Sequence, residues 1–269
     1  MMWCNSFIAV SGLSSHPFGS WKERGGTFMW LRDSLAANPK GARVLLYGYD
    51  TTLVRSESFQ DIDDISSKFA LAVKQLRAPH GGSKSPPRPI VFIAHSLGGL
   101  IVKHAIHQMA LTDTTSFRSI YALLFFGVPN RGLAMSHWLP IVSNQPNEGL
   151  IRNLEPGSNY LRSLQRRFDS IFAFPDSRIV SVYETAMSKT AKEEKPGVWK
   201  LTGPEQLLVP IASAVDLCPR GPRHSKLAIH QNHGDLPKFK GPRDSDYRHI
   251  QDFVDEFRRE AVAVVQRRF

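Results

Sequence analysis

Residues Ile90 to Gly99 read IVFIAHSLGG, and the fold turns on how this stretch is read. Ile90, Val91, Phe92 and Ile93 form an unbroken apolar run that passes into Ala94-His95-Ser96-Leu97-Gly98-Gly99. A short continuous apolar run of this kind reads as a strand covered on both faces. The segment after it, LGGLIVKHAIHQMAL, has the length of a helix. Ser96 therefore stands at a strand-to-helix turn. Small residues two before and two after it, Ala94 and Gly98, are what a sharp, strained turn demands.

Working outward, the same alternation recurs. SFIAVSGL, ARVLLYGYD, IYALLFFGVP, RIVSVYE and EQLLVPIASA read as further strands. TFMWLRDSLAA reads as a helix stopped by Asn38-Pro39-Lys40-Gly41. SFQDIDDISSKFALAVKQLRA reads as an amphipathic helix with apolar positions at Ile62, Ile65, Phe69, Leu71 and Val73. EGLIRNL, NYLRSLQRRFDSIFAF and the closing DYRHIQDFVDEFRREAVAVVQRRF read as helices, and PHGGSKSPPRP as a loop. Strands alternating with helices predict an α/β fold with a mostly parallel sheet and helices on both faces. Residues 1–269 are expected to form one domain, with a helical insertion at about 131–177 over one end of the sheet.

Composition narrows the function classes. With 42% hydrophobic and 22% charged residues, the chain is an ordinary globular sequence. Two cysteines, Cys4 and Cys218, cannot build a disulfide framework, which points to an intracellular, reducing compartment. The opening MMWCNSFIAVSGL lacks the basic region of a secretory leader and reads as a strand. No apolar run approaches a membrane span. The net charge of +10 is spread along the chain without a nucleic-acid-binding signature. It reads first as a solvated basic surface. Weak peripheral contact with an anionic membrane, helped by Arg267-Arg268, is the second option.

A serine hydroxyl is a poor nucleophile near neutral pH and needs a base, itself oriented by a third group. At a turn of this kind the chain order is serine, then an acid, then histidine. Glu184 ends RIVSVYE, where ligands bind at the carboxyl ends of parallel strands. Its rivals are Asp216, after the next expected strand, and Asp176, at the wrong end of its own. His224, His230 and His233 all follow, and the residues alone leave the base open among them. His95 sits beside Ser96 with a diverging side chain, which makes it a poor base. His104 and His107 lie on the helix, and His16, His80, His137 and His249 have no strand-end context. HQNH at 230–233 has neither partner cysteines nor an HExxH helix, so no metal and no cofactor is expected. Two backbone N–H groups should hold an oxyanion: Leu97, next after Ser96, and Leu13, on the turn Ser11-Gly12-Leu13.

With those residues placed, VSGLSSHPFGSW, ARVLLYGYD, FIAHSLGGLIVKHAI, LLFFGVPNRG, SVYET, LLVPIASA and IHQNHGDLPKF carry a resemblance. The chain resembles the lipase-like serine esterase family of α/β-hydrolases, of the serine active site-containing protein 1 type. It also resembles the hydrolase domain that opens many fungal nucleotide-binding receptor-type proteins. The resemblance implies an α/β-hydrolase fold and a Ser-His-Glu triad in which Ser96 is the nucleophile, Glu184 the acid and His233 the base. It implies an ester substrate, small-molecule or lipid, and a cytoplasmic site peripheral to endoplasmic reticulum or mitochondrial membrane. Three places depart from the family pattern. Ser11 stands where the oxyanion turn usually has histidine. Residues 127–132 read GVPNRG in place of GTPHRG, and Ile211 and Ala212 stand where acidic residues are common. Two rival readings remain: a thioesterase using the same residues, and an interaction module on a hydrolase scaffold.

Overall fold

The unbroken apolar runs lie side by side. The computed structural model describes residues 5–37, 42–77, 88–135, 138–217 and 219–269. The strands are β1 (Ser6–Val10), β2 (Arg43–Tyr47), β3 (Ile90–His95), β4 (Ile120–Phe126), β5 (Arg178–Glu184), β6 (Ser188–Lys189), β7 (Lys192–Lys195), β8 (Val198–Lys200), β9 (Glu205–Gln206) and β10 (Arg223–Ile229). Among the described residues six of them form one sheet in the order β10-β5-β4-β3-β1-β2, every neighbouring pair parallel. β6 pairs with β9 and β7 with β8 as small antiparallel additions. β3 and β4, in the middle, are buried along their whole length, as strands covered on both faces must be.

The helices are α1 (Ile62–Arg77), α2 (Leu97–Thr112), α3 (Thr114–Arg118), α4 (Leu139–Val142), α5 (Glu148–Arg152), α6 (Asn159–Ile171), α7 (Ile211–Ala214) and α8 (Ser245–Gln266). Alternate strand residues face opposite layers. Ile8, Val10, Phe92 and Phe125 join α1, α2 and α6 in one apolar cluster, whereas Phe7, Ala9, Ile93 and Phe126 join α8 and Trp30 in the other. Leu31–Ala36 is a wider turn of helix with i→i+5 bonding. α2 is apolar almost all round and buried from Leu97 to Ile106, as befits the helix at the centre of a layer.

Several expectations need correction. EQLLVPIASA is not a sheet strand: Glu205–Gln206 pairs with β6, and Ile211–Ala214 is a single helical turn. Pro210, which has no N–H to give a ladder, precedes that turn, while Leu208 and Val209 are buried. The sixth strand is instead RHSKLAI, a sheet edge whose outward residues include Arg223 and Lys226. Leu71, expected on the buried face of α1, is exposed. The insertion divides: Leu133, Met135, Trp138, Ile141, Ile151 and Leu154 turn toward a cavity at the strand ends, and α6 packs beside α2. Cys4, Cys218, the stop at Asn38–Gly41, most of the 79–89 stretch, His80 and His137 lie outside the described residues.

One buried charge ties the helices of one layer together. Lys103, on α2, is fully buried, with its Nζ donating to Asn130 Oδ1 at 3.0 Å and to Gln165 Oε1. The ammonium also lies over the Phe168 ring at 5.2 Å. Asn130 in turn donates to the Ser213 and Ala214 carbonyls, so the network reaches from α2 across to α7. Burial pushes Lys103 down to about 7, against the opposing pull of the Asp169 and Asp216 carboxylates. The native state therefore holds fewer protons at this site than the unfolded chain between about pH 7 and the ordinary value of 10.5. Stability rises with pH across that window, because the unfolded state binds the extra proton. In urea titrations at a series of pH values, this rise is expected in the wild type and absent in Lys103→Met.

Candidate active site

The parallel register brings the carboxyl ends of the strands to one edge. Val10 pairs with Ala94, His95 with Phe126, Phe126 with Val182, and Ile229 with Glu184. The chain leaves β1 toward β2 on one side, and β3 continues toward β4 on the other, which opens a crevice between β1 and β3. Ser96 stands at that crevice as the residue before α2, with φ 53° and ψ −128°. A non-glycine residue in such a conformation is strained and must be held from several sides. Ser96 N–H donates to Phe126 O at 2.9 Å, and Gly99 N–H donates to Ser96 O at 3.0 Å. The glycines behind it are a matter of space. A Cβ on Gly98 would lie 2.4 Å from Val10 O and 2.6 Å from Ser11 O, and one on Gly99 would lie 2.2 Å from Val128 Cγ2.

Three side chains meet in a line. His233 Nε2 lies 2.9 Å from Ser96 Oγ, and His233 Nδ1 lies 2.6 Å from Glu184 Oε2. A carboxylate can only accept, so Nδ1 carries the proton and Nε2 is left to accept the serine O–H. Glu184 is wholly buried, and its other oxygen accepts the Val209 N–H at 3.0 Å. Both acidic oxygens are thus satisfied, which a buried carboxylate requires. His233 is held by its backbone too: its N–H donates to Ser188 Oγ at 3.1 Å.

His95 turns out to belong to the site without facing the serine. It is buried, and its ring lies 4.8 Å, centroid to centroid, from that of His233. Its Nε2 is 2.9 Å from the His233 carbonyl, and so donates to it. Burial, reinforced by the neighbouring His233, holds His95 well below the ordinary histidine value, so the ring stays neutral even though the bond to the His233 carbonyl pulls the other way. Gly127, with φ 53°, makes room on the other side: a Cβ there would stand 3.0 Å from the His233 ring. Leu97 is the first residue of α2 and has no carbonyl within its own helix to receive its N–H. Leu13 lies on the facing turn and lines the cavity with Ser96 and His233. Ser11 is buried and does not line that cavity.

The rival residues are engaged elsewhere. Asp216 accepts from Arg131 at 2.5 and 2.8 Å, and Asp176 pairs with Arg268. His224 bonds Ser181 Oγ at 2.9 Å across β10 and β5, and His230 lies 3.3 Å from Thr185 Oγ1. His104 pairs with Asp63 at 2.6 Å on the flank of α2. His16 accepts from the Phe18 and Gly19 N–H groups. Sequence reasoning missed Val209, Ser188 and the anchoring role of His95. The first two had no local signal, because they act across 25 and 45 residues of chain.

The cavity above Ser96 has a volume of about 780 Å³. Leu13, Leu53, Leu133, Trp138, Ile151 and Leu208 give it an apolar wall. Among the described residues no helix is long and apolar enough to cross a membrane.

Comparison with known proteins agrees with the resemblance read from the sequence. Residues 28–143 match the family described as "Putative serine esterase (DUF676)". Protein SERAC1 of Danio rerio is 26% identical over 162 residues, 59% of this chain and 25% of that protein. The chain thus spans about a quarter of the length of this relative. Among solved structures, a metagenome-derived lipolytic enzyme of the LipS and LipT pair superposes with a TM-score of 0.57 at 12% identity, covering 96% of this chain and 95% of the other. Bacillus licheniformis lipase BlEst2 superposes with a TM-score of 0.54 at 12% identity, covering 94% and 92%. At these identities the likeness is one of fold, and the fold is that of an α/β-hydrolase.

Two substitutions test this local architecture. Gly98→Ala should cost folded protein, since the added methyl meets the Val10 and Ser11 main-chain oxygens at the end of β1, which cannot step aside; loss of soluble yield and a lowered melting temperature are the readouts. His95→Ala should leave the fold but slow any His233-dependent turnover on the order of 10- to 100-fold, the scale of a misplaced reacting group. His95→Asn, which keeps a donor, should recover part of that rate.

Proposed function

We propose that this protein is a carboxylic ester hydrolase that works by acyl transfer through Ser96, His233 and Glu184. The observation that carries the reading is the hydrogen-bonded line from Glu184 to His233 to Ser96, at 2.6 and 2.9 Å, at the foot of an apolar cavity. The family match and the lipase and esterase folds support hydrolysis as the chemistry.

In this mechanism His233 Nε2 takes the proton from Ser96 as the serine oxygen bonds to the ester carbonyl carbon. Negative charge gathers on the carbonyl oxygen. The N–H groups of Leu13 and Leu97 receive it, at the positive end of α2. Glu184 stabilises the imidazolium and keeps its tautomer. Collapse breaks the bond to the alcohol oxygen, which leaves with the proton from Nε2. Water then attacks the acyl-serine, gives its proton to Nε2, and the carboxylic acid departs as Ser96 recovers its own.

The cavity favours an acyl group of lipid-like character. Part of its wall, from Leu13, Leu53, Leu133, Trp138, Ile151 and Leu208, is continuous aliphatic and aromatic surface, and such a lining suits an acyl chain. Oxygen and sulfur esters would use the same residues.

A fluorophosphonate reagent should label the purified protein, and Ser96→Ala should abolish labelling. With a soluble short-chain ester, Ser96→Ala and His233→Ala should each lose roughly 10⁶-fold in kcat, whereas Glu184→Gln should lose on the order of 10³- to 10⁴-fold. Asp216→Asn, His230→Ala and His224→Ala should stay close to wild type. Folded wild-type protein that neither takes the label nor turns over oxygen or thioesters would remove the hydrolase reading in favour of a non-catalytic module.

A further inference from the structure

The mouth of the cavity has a character that ester cleavage does not require. Large apolar side chains are exposed there together: Met187 at 62%, Leu201 at 66%, Val198 at 43% and Val54 at 38%. Met187, Leu201 and Val54 line the cavity itself, and Val198 precedes the lining residue Trp199. Single exposed apolar residues are ordinary, but a cluster around a pocket mouth marks a surface meant to be covered.

Cations are set among them. Four lysines stand against two glutamates between residues 187 and 201. In the β7–β8 hairpin Lys192 pairs across with Lys200, and Lys195 with Val198. Cross-strand partners share a face, so Lys192, Lys195, Val198 and Lys200 lie on one side. Trp199, on the other, packs into the apolar cluster beneath. Like charges directly opposite each other destabilise a strand pair. Glu194 relieves Lys200 at 2.6 Å, but among the described residues no carboxylate lies within ion-pair distance of Lys189, Lys192 or Lys195. Arg55 adds a further cation against the hairpin turn at Gly197.

We propose that this hairpin, with the adjoining rim at Met187 and Leu201, is a docking face for an anionic lipid bilayer, and that it seats the cavity mouth on the membrane. The proposal rests on the acyl-ester reading for its purpose, not for its geometry. Lysines on flexible stems can hold headgroup phosphates while the short apolar tips between them enter the upper acyl region. Continuity with the cavity wall would let an acyl chain reach Ser96 without crossing water. Arg268, basic in the sequence, is no substitute. It is turned inward onto Asp176 and the Phe174 ring.

The test is flotation of the full chain, carrying Ser96→Ala so that vesicles are not consumed. The vesicles are equal parts phosphatidylcholine and phosphatidylserine, with pure phosphatidylcholine beside them. Binding to the mixed vesicles at low salt is expected, weakening as salt rises. Lys192→Gln with Lys195→Gln should lower that affinity about 30-fold, from about fivefold per lysine near an anionic surface. Val198→Ser should lower it further in a way that salt does not change. Lys68→Gln with Lys74→Gln, on exposed positions of α1, removes the same charge and should have little effect. No binding to the mixed vesicles, equal binding to the neutral ones, or an equal loss from the α1 pair would overturn the docking face. Turnover of a soluble short-chain ester by otherwise wild-type protein keeps the two claims apart. The Lys192→Gln, Lys195→Gln pair should leave it unchanged. Protein that floats but cleaves no ester loses the hydrolase reading alone, and protein that cleaves the ester but ignores vesicles loses the docking face alone.

Discussion

Everything at the site follows from how closely the start of α2 approaches the end of β1. With no side chain at Gly98, the helix comes down onto the Val10 and Ser11 carbonyls, at a distance a methyl group could not share. That contact fixes where the helix begins, and the strained backbone of Ser96 is what closes the gap between β3 and the helix so placed. A residue at φ 53° persists only because its surroundings leave no alternative. Here the surroundings are the Phe126 carbonyl, the Gly99 N–H and the packed wall of two apolar layers. The strain, in return, lifts the serine oxygen clear of the sheet edge.

The rest of the site answers the cost of burying charge. A carboxylate removed from water loses several kcal/mol of solvation, and losing one partner of such a buried pair costs about 3–5 kcal/mol. Glu184 is compensated on both oxygens, by His233 and by the Val209 N–H. The His233 loop is pinned at its N–H by Ser188 and at its carbonyl by His95. Each bond alone is ordinary. Their joint effect is that the imidazole has little freedom left in its loop.

How far this was legible in the sequence depended on the kind of signal. Central strands such as IVFIAHS and IYALLFF are apolar on both faces and announce themselves. An edge strand need not be, and RHSKLAI, half exposed and charged, gave no such signal, while the more apolar LLVPI nearby attracted the assignment. The misplacement did no harm to Glu184, which lies at the end of a buried strand, and the segment bearing His233 still follows the last strand. Choosing among three histidines was beyond spacing, because the choice lies in loop geometry. The resemblance favoured the one that the fold brings to Ser96. Val209 and Ser188 lay further out of reach, since nothing in a backbone N–H or a lone hydroxyl advertises its partner.

The parallel pairing of β10 with β5 has a consequence for how this molecule fails. Glu184 lies at the end of an inner strand and Ser96 at the end of a central one, but His233 hangs from the strand with a free edge. Sheet margins open at lower free energy than the centre, in local excursions that leave the bulk intact. Amide exchange along Arg223–Ile229 would then run ahead of exchange in β3 and β4. As the protein is warmed, the imidazole would part from its two partners while the sheet still stands. The hydrogen-bonded line and the sheet would melt separately, in that order.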